Sequence, residues 1–324
     1  MRASLLSCST FLVETMSSNA QTSSSSGYLF AIAATVIWSG NFIVARGAVD
    51  TISPVSLAFW RWVVACLVIL PFALPALVRD WSHLKRHLPY LMVTALLGVT
   101  VFNTLIYIAS HTTNALNLSL IAISSPIFMV IFAKLFLNDA ISKNKVVGIA
   151  TVVVGIVVLI TRGHPEKLLA ISLAIGDLWM LIAASCFAMY SILIKKKPAE
   201  ITPWSFQLAT FVLGLLMLLP FYLWGADLSV PAKWNQELLF SILYLGIFAS
   251  FTSYVLWNRA IAIIGPSKAG MVYYSLPVFS GMLGSLFLNE QIKSFHLFCG
   301  VLIISGIVIA NYTPKKRVEE LTEN

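Results

Sequence analysis

Charge is scarce in this sequence, and acidic charge is scarcest: Asp, Glu, Lys and Arg make up 10% of 324 residues, with 13 acidic side chains against 21 basic ones. A chain so poor in charge cannot cover the surface of a soluble domain of this size. No Asp or Glu falls in the middle of an apolar segment, because Asp139, Asp177, Glu237 and Glu290 all stand at segment ends. A buried carboxylate proton relay of the usual kind is therefore unsupported. Cys8, Cys66, Cys186 and Cys299 are isolated, so neither a disulfide framework nor a zinc spacing follows. The five histidines form no metal-binding pair on a helix face. His111 reads as a solvated position at a helix end, with proton coupling as the lesser alternative. No cofactor is called for, and no acid, base or metal constellation suits an enzyme.

What fills the chain instead is apolar: 59% of residues are hydrophobic and the mean hydropathy is +0.88. Runs of about twenty apolar residues suffice to cross a hydrocarbon core of roughly 30 Å as helices. Such runs follow one another at Tyr28 to Arg46, Pro54 to Val78, Leu88 to Ser110, Ala115 to Leu137 and Lys145 to Thr161. They continue at Ala174 to Ile194, Trp204 to Leu223, Glu237 to Ile261, Pro266 to Leu288 and Phe295 to Asn311. The fold expected is an all-α integral membrane protein with ten transmembrane helices, since lipid requires every backbone group to be satisfied internally.

The second half repeats the first. "SPIFMVIFAKLFLND" at Ser125 to Asp139 shares its plan with "LPVFSGMLGSLFLNE" at Leu276 to Glu290, with Pro126 and Pro277 at an offset of 151. At an offset of 149, Ile52 and Pro54 match Ile201 and Pro203, and Pro71 and Phe72 match Pro220 and Phe221. Each unit holds five helices, an odd number, so equivalent helices run oppositely and the two five-helix repeats are inverted. Placing the N-terminus inside puts fourteen Lys and Arg in inner segments and five in outer ones. By the positive-inside rule both termini are cytoplasmic. The net charge of +8 then reflects topology and anionic lipid, with no call for nucleic acid.

The chain divides into a tail over residues 1–26, repeat 1 over 27–162, repeat 2 over 173–313 and a cytoplasmic tail over 314–324. The Ser-rich start is no convincing signal peptide, and Met16 is read as the true start. Inverted repeats are a common plan for transporters, with the substrate site near the midplane between halves. Pro126 and Pro277, with Gly281 and Gly284, are candidates for a kinking or gating role.

"WSGNFIVARG" in the first helix, "SLAFWRW" in the second and the two Pro-to-acid blocks resemble the drug/metabolite transporter superfamily, and within it the ten-helix EamA proteins. The resemblance spans roughly Gly27 to Asn311. It implies a carrier in the inner membrane, often exporting amino acids or related metabolites, with a central cavity between halves. Import, a channel, or a non-transporting protein of the same fold are the alternatives, and monomer and homodimer both remain open.

Polar and aromatic groups that hydrocarbon would penalise are the candidates for lining such a cavity. Arg61 either snorkels or pairs with backbone carbonyls, or else turns its guanidinium to a substrate carboxylate. Trp38 and Asn41 share a face of the first helix, and Asn103 and Tyr107 share one on the third. Tyr190, Tyr254, Asn258, Tyr273, Tyr274 and Ser275 come from the second half. Each is either interhelical packing or a contact to an amphipathic or zwitterionic solute. Gly148, Gly155, Gly300 and Gly306 are expected to let the fifth and tenth helices approach closely.

Overall fold

A computed structural model describes residues 24–41, 44, 48, 50–112, 121–122, 124–161, 175–224, 232, 234–288 and 294–312. The expectations for the two tails lie wholly or largely outside these residues, as do the first residues, 115–120, of the segment read from Ala115. Every regular element among them is helical. In chain order they are α1 (24–41), α2 (Pro54–Arg79), the short α3 (Trp81–Arg86), α4 (Leu88–Thr112), α5 (Ser124–Leu137), α6 (Lys143–Thr161), α7 (Ile175–Lys195), α8 (Pro203–Leu223), α9 (Gln236–Tyr273), α10 (Leu276–Leu288) and α11 (Ser294–Asn311). Five of them, α2, α4, α7, α8 and α9, are long and apolar enough to cross a membrane. Large apolar side chains such as Leu67, Phe72, Leu135 and Val301 stand more than half exposed, as a surface facing lipid requires.

The helices begin where the sequence supplies a cap. Ser53 precedes α2 and accepts from the Ser56 amide, and Thr202 precedes α8 and accepts from the Ser205 amide. Both are followed by Pro at the first helical position, where a missing N–H is harmless. Ser53 and Thr202 are 149 residues apart, so the matched sequences make the same local structure. The likeness extends to π-helical turns, at Leu96–Val101 in α4 and Tyr244–Thr252 in α9. Such turns release carbonyls from the ordinary i−4 ladder. In α9, Ser250, Thr252 and Ser253 donate to carbonyls five residues back.

Helices with matched sequences also pack side by side and antiparallel. Along α2, Phe59 stacks on Tyr222 at 4.1 Å, Trp62 meets Phe211 at 4.8 Å, and Asp80 bonds Thr202, so α8 descends as α2 ascends. In α6 and α11, a methyl added at Gly148 would lie 2.5 Å from the Gly306 carbonyl oxygen. At Gly155 it would lie 2.9 Å from Leu302. Here too the register runs backwards. Gly300 departs from expectation: a methyl there meets nothing within 4 Å, so it takes no part in this seam.

Two differences from the simple picture of straight spans concern the region of α9 and α10. Gly265 has φ 79° and breaks α9, a conformation glycine adopts without the steric penalty of a Cβ. The segment read as one helix from Pro266 to Leu288 is interrupted by a turn at Tyr274 and Ser275. Pro277 is the second residue of α10, so it removes no interior hydrogen bond there. Pro126 lies in α5, where its Cα is 3.4 Å from the place a Cβ on Gly270 would occupy. Gly281 and Gly284 lie within α10.

Candidate functional site

Arg61 stands two turns into α2 and is 1% exposed, its guanidinium turned inward among the helices. The snorkelling expectation is overturned. Its Nε donates to Ser250 Oγ at 2.8 Å, and its Nη1 donates to Asn103 Oδ1 at 3.0 Å, to the Tyr107 hydroxyl, and at 3.5 Å to Asn41 Oδ1. Those partners come from α9, α4 and α1. The guanidinium also lies against the Trp62 ring, with its carbon 5.3 Å from the centroid. Among the described residues no carboxylate forms an ion pair with it. The charge is thus spread over neutral acceptors in a low-dielectric setting, and the site keeps a positive field.

The shared faces anticipated in α1 and α4 explain this convergence. Trp38 donates through Nε1 to the Ala249 carbonyl at 2.9 Å while Asn41, one turn on, faces Arg61. Asn103 accepts from Arg61 and donates through Nδ2 to the Tyr254 hydroxyl at 3.0 Å. Tyr254 in turn donates to Gly98 O at 2.6 Å, a carbonyl inside the π-helical turn of α4. Gly98 is tight because the Tyr190 ring lies on it: an added methyl would be 2.2 Å from Tyr190 Cδ2.

A second polar group adjoins the first through the Tyr190 and Tyr254 rings, 5.7 Å apart. The Tyr190 hydroxyl donates to Asn258 Oδ1 at 3.2 Å, and Asn258 Nδ2 donates to Gln207 Oε1 at 2.5 Å. Gln207 Nε2 is buried and has no hydrogen-bond partner. Asn258 and Gln207 line a cavity of about 310 Å³ between the start of α8, the end of α7 and α9, whose wall also carries Lys197 and Arg259. Burial lowers the Lys197 pKa, against the opposing pull of Asp80 and Glu200.

Tyr273 belongs to an aromatic box with Trp38, Phe187 and Trp257, at centroid distances of 5.7 to 6.0 Å. Tyr274 and Ser275 sit apart from these groups. Tyr274 packs with Val130, Met271 and Ile303, and the Ser275 hydroxyl donates to Val272 O at 2.7 Å, holding the turn. His111 is exposed at the end of α4. The sequence reading missed Ser250, Gln207, Trp62 and Asp80. Gln207 had a signal, since a buried amide just past the first turn of an apolar span must find a partner; Ser250 had none, because serine is common in such helices.

Each half of the chain matches the EamA-like transporter family separately, over residues 25–161 and 174–312. The chain belongs to this family. Within the drug/metabolite transporter superfamily, this EamA-like protein moves small molecules across a membrane and is not an enzyme. It is similar to the uncharacterized transporter YyaM of Bacillus subtilis, 27% identical over 88% of this chain and 93% of the relative. An uncharacterized transporter of Archaeoglobus fulgidus is 25% identical over 85% of this chain and 93% of its own length. A solved crystal structure superposes on this EamA-like chain with a TM-score of 0.68 at 17% identity, covering 89% of it and 96% of that chain, a likeness of fold.

Proposed function

We propose that this EamA-like protein is an inner-membrane carrier that exports amino acids or related small metabolites by alternating access between two inverted five-helix repeats. In this reading residues 27–162 and 173–313 are the repeats, ten helices cross the membrane, and both termini are cytoplasmic. The separate family matches to the two halves support it, as do the paired caps, the paired π-helical turns and the antiparallel packing of matched helices. The Lys and Arg bias supports the orientation.

The observation that carries the reading is Arg61, buried at the junction of the two halves and held by neutral groups from both. A cation kept in such a place is costly, and a solute carboxylate is the anion that would use it. Asn41, Asn103, Tyr107 and Tyr254 then order the guanidinium, while Trp38, Tyr190 and Tyr273 supply apolar walls. The cavity beside Gln207 lies at the end richer in Lys and Arg, where an exporter would take solute from the cytoplasm.

Purified protein in proteoliposomes loaded with unlabelled amino acids tests the reading. Saturable counterflow of a labelled amino acid, abolished in Arg61→Ala protein that still inserts and stays monodisperse, is the expected result. Non-saturable flux indicates a channel, and intact counterflow in that variant removes Arg61 from the site. Metabolite profiles of overproducing cells give the direction: loss inside with gain outside is export, and the reverse is import.

A further inference from the structure

The cavity beside Gln207 carries chemistry of its own. Two of its lining residues, Lys197 and Arg259, are cationic and none is a carboxylate. The nearby Asp80 is committed to Thr202, Ser205 and Arg79, and Glu200 does not line the space. The remaining wall is apolar and includes the rings of Trp204 and Phe206. At the floor the hydrogen-bond chain from Tyr190 through Asn258 ends on Gln207 Oε1, leaving Gln207 Nε2, in a residue 2% exposed, as a donor with nothing to donate to. A buried donor left in this state is unfavourable, and an acceptor on a bound molecule relieves it. At about 310 Å³ the space matches the small end of ligand pockets, enough for one ring and a short polar chain.

We propose that this cleft binds a small organic anion that bears a ring-sized apolar group and a carbonyl acceptor, and that it rejects organic cations of the same size. The carboxylate faces Arg259, with positive field added by Lys197, whose Nζ already donates to Pro198 O and Ile201 O; the ring lies among Trp204 and Phe206, and the carbonyl accepts from Gln207 Nε2. The inference rests on the carrier reading for its role as the cytoplasmic entry site, and it narrows the substrate class from amphipathic solutes in general to anions. Phosphate headgroups of anionic lipids share the charge but not the carbonyl beside a ring.

Binding measured apart from transport separates the two readings. Full-length protein in phosphatidylcholine nanodiscs is titrated with N-acetyl-L-phenylalanine, with its neutral amide, and with phenethylamine, by isothermal calorimetry. The expected order is binding of the anion, at least tenfold weaker binding of the amide, and none of the cation. Gln207→Leu and, separately, the exposed Arg259→Gln each weaken the anion at least fivefold, and Gln207→Glu abolishes it. Equal or tighter binding of the cation overturns the proposal, as does no anion binding at millimolar concentration, or unchanged affinity in well-folded Arg259→Gln and Gln207→Leu proteins. Competition by phosphatidylglycerol that vanishes in Arg259→Gln assigns the cleft to a lipid headgroup and overturns the solute site. Saturable counterflow in proteoliposomes of the same preparation, alongside any of these failures, leaves the carrier reading standing.

Discussion

Asp80 Oδ2 accepts from both the backbone N–H and the hydroxyl of Thr202, at 2.9 and 2.7 Å, tying the end of α2 to the start of α8. Ser205 Oγ adds a third bond to the same oxygen at 2.7 Å, and Arg79 pairs with the other. Burial by itself raises the carboxyl's pKa; the bonds from Thr202, Ser205 and Arg79 outweigh it and hold the group well below the usual carboxylate range. A depressed folded-state pKa stabilises above the unfolded value of about 4 and ceases to do so as pH falls through the folded value. Asp80→Asn is therefore expected to lower the thermal midpoint at pH 7, by the equivalent of about 2 kcal/mol for lost charged hydrogen bonds. The gap to the unsubstituted protein should persist at pH 5 and shrink progressively as pH falls below about 4, the unfolded value. Thermal scans of both proteins across that range check it, and equal midpoints at pH 7 would remove Asp80 as a tie between the halves.

The seam between α6 and α11 predicts a contrast within one helix pair. A Cβ at Gly148 would stand 2.5 Å from both the Gly306 carbonyl oxygen and Ala310 Cβ, and backbone cannot give way as a flexible side chain does. Gly148→Ala is expected to separate the two helices and cost about 1–3 kcal/mol, seen as a lowered thermal midpoint and poorer recovery of monodisperse protein. Gly300→Ala, on the same helix pair, is expected to leave both measurements unchanged because a methyl there meets no atom within 4 Å. Similar behaviour of the two variants would contradict the packing.

Gly98 offers a test of the link between the π-helical turn and the site. The Tyr190 ring occupies the space a side chain would need, and Tyr254 uses the Gly98 carbonyl. Gly98→Ala must displace the Tyr190 ring and disturb its bond to Asn258 and the chain ending at Gln207. Transport in proteoliposomes is expected to fall at least tenfold, with insertion retained. Undiminished counterflow would mean that Tyr190 has room to move that the packing denies it.

The spans α2, α4, α7, α8 and α9 were legible because hydropathy and end signals act locally: Ser53 and Pro54, or Thr202 and Pro203, mark a helix start without reference to anything distant. The shared faces of Trp38 with Asn41 and of Asn103 with Tyr107 were legible for the same reason, since helical geometry fixes them. What those faces meet was not. Ser250 reaches Arg61 because the π-helical turn of α9 rotates the helix beyond its regular phase, and a 3.6-residue period carries no mark of that turn. Gly265 is as invisible, because a glycine among apolar residues reads equally as packing or as a break. Tyr274 and Ser275 were grouped with Tyr273 by adjacency, whereas the turn they form sends Tyr274 into a different cluster.

Arg61 itself gives the sharpest prediction, because geometry and charge separate in two substitutions. Lys keeps the charge but offers one compact ammonium in place of a planar fork, so it cannot serve Ser250 on one side and Asn103 and Tyr107 on the other. Met keeps much of the volume and removes the charge, leaving neutral acceptors that can be partly re-satisfied by one another. Arg61→Met is expected to fold with a thermal midpoint at or above that of Arg61→Lys, since a buried cation without its hydrogen bonds is the worse occupant. Counterflow of a carboxylate-bearing solute is expected to fall at least a hundredfold in Arg61→Met and about tenfold in Arg61→Lys, where the charge survives in a poorer position. The two orders are opposite, stability favouring Met and transport favouring Lys. If both measurements rank the variants the same way, Arg61 is a packing element and the anion site lies elsewhere.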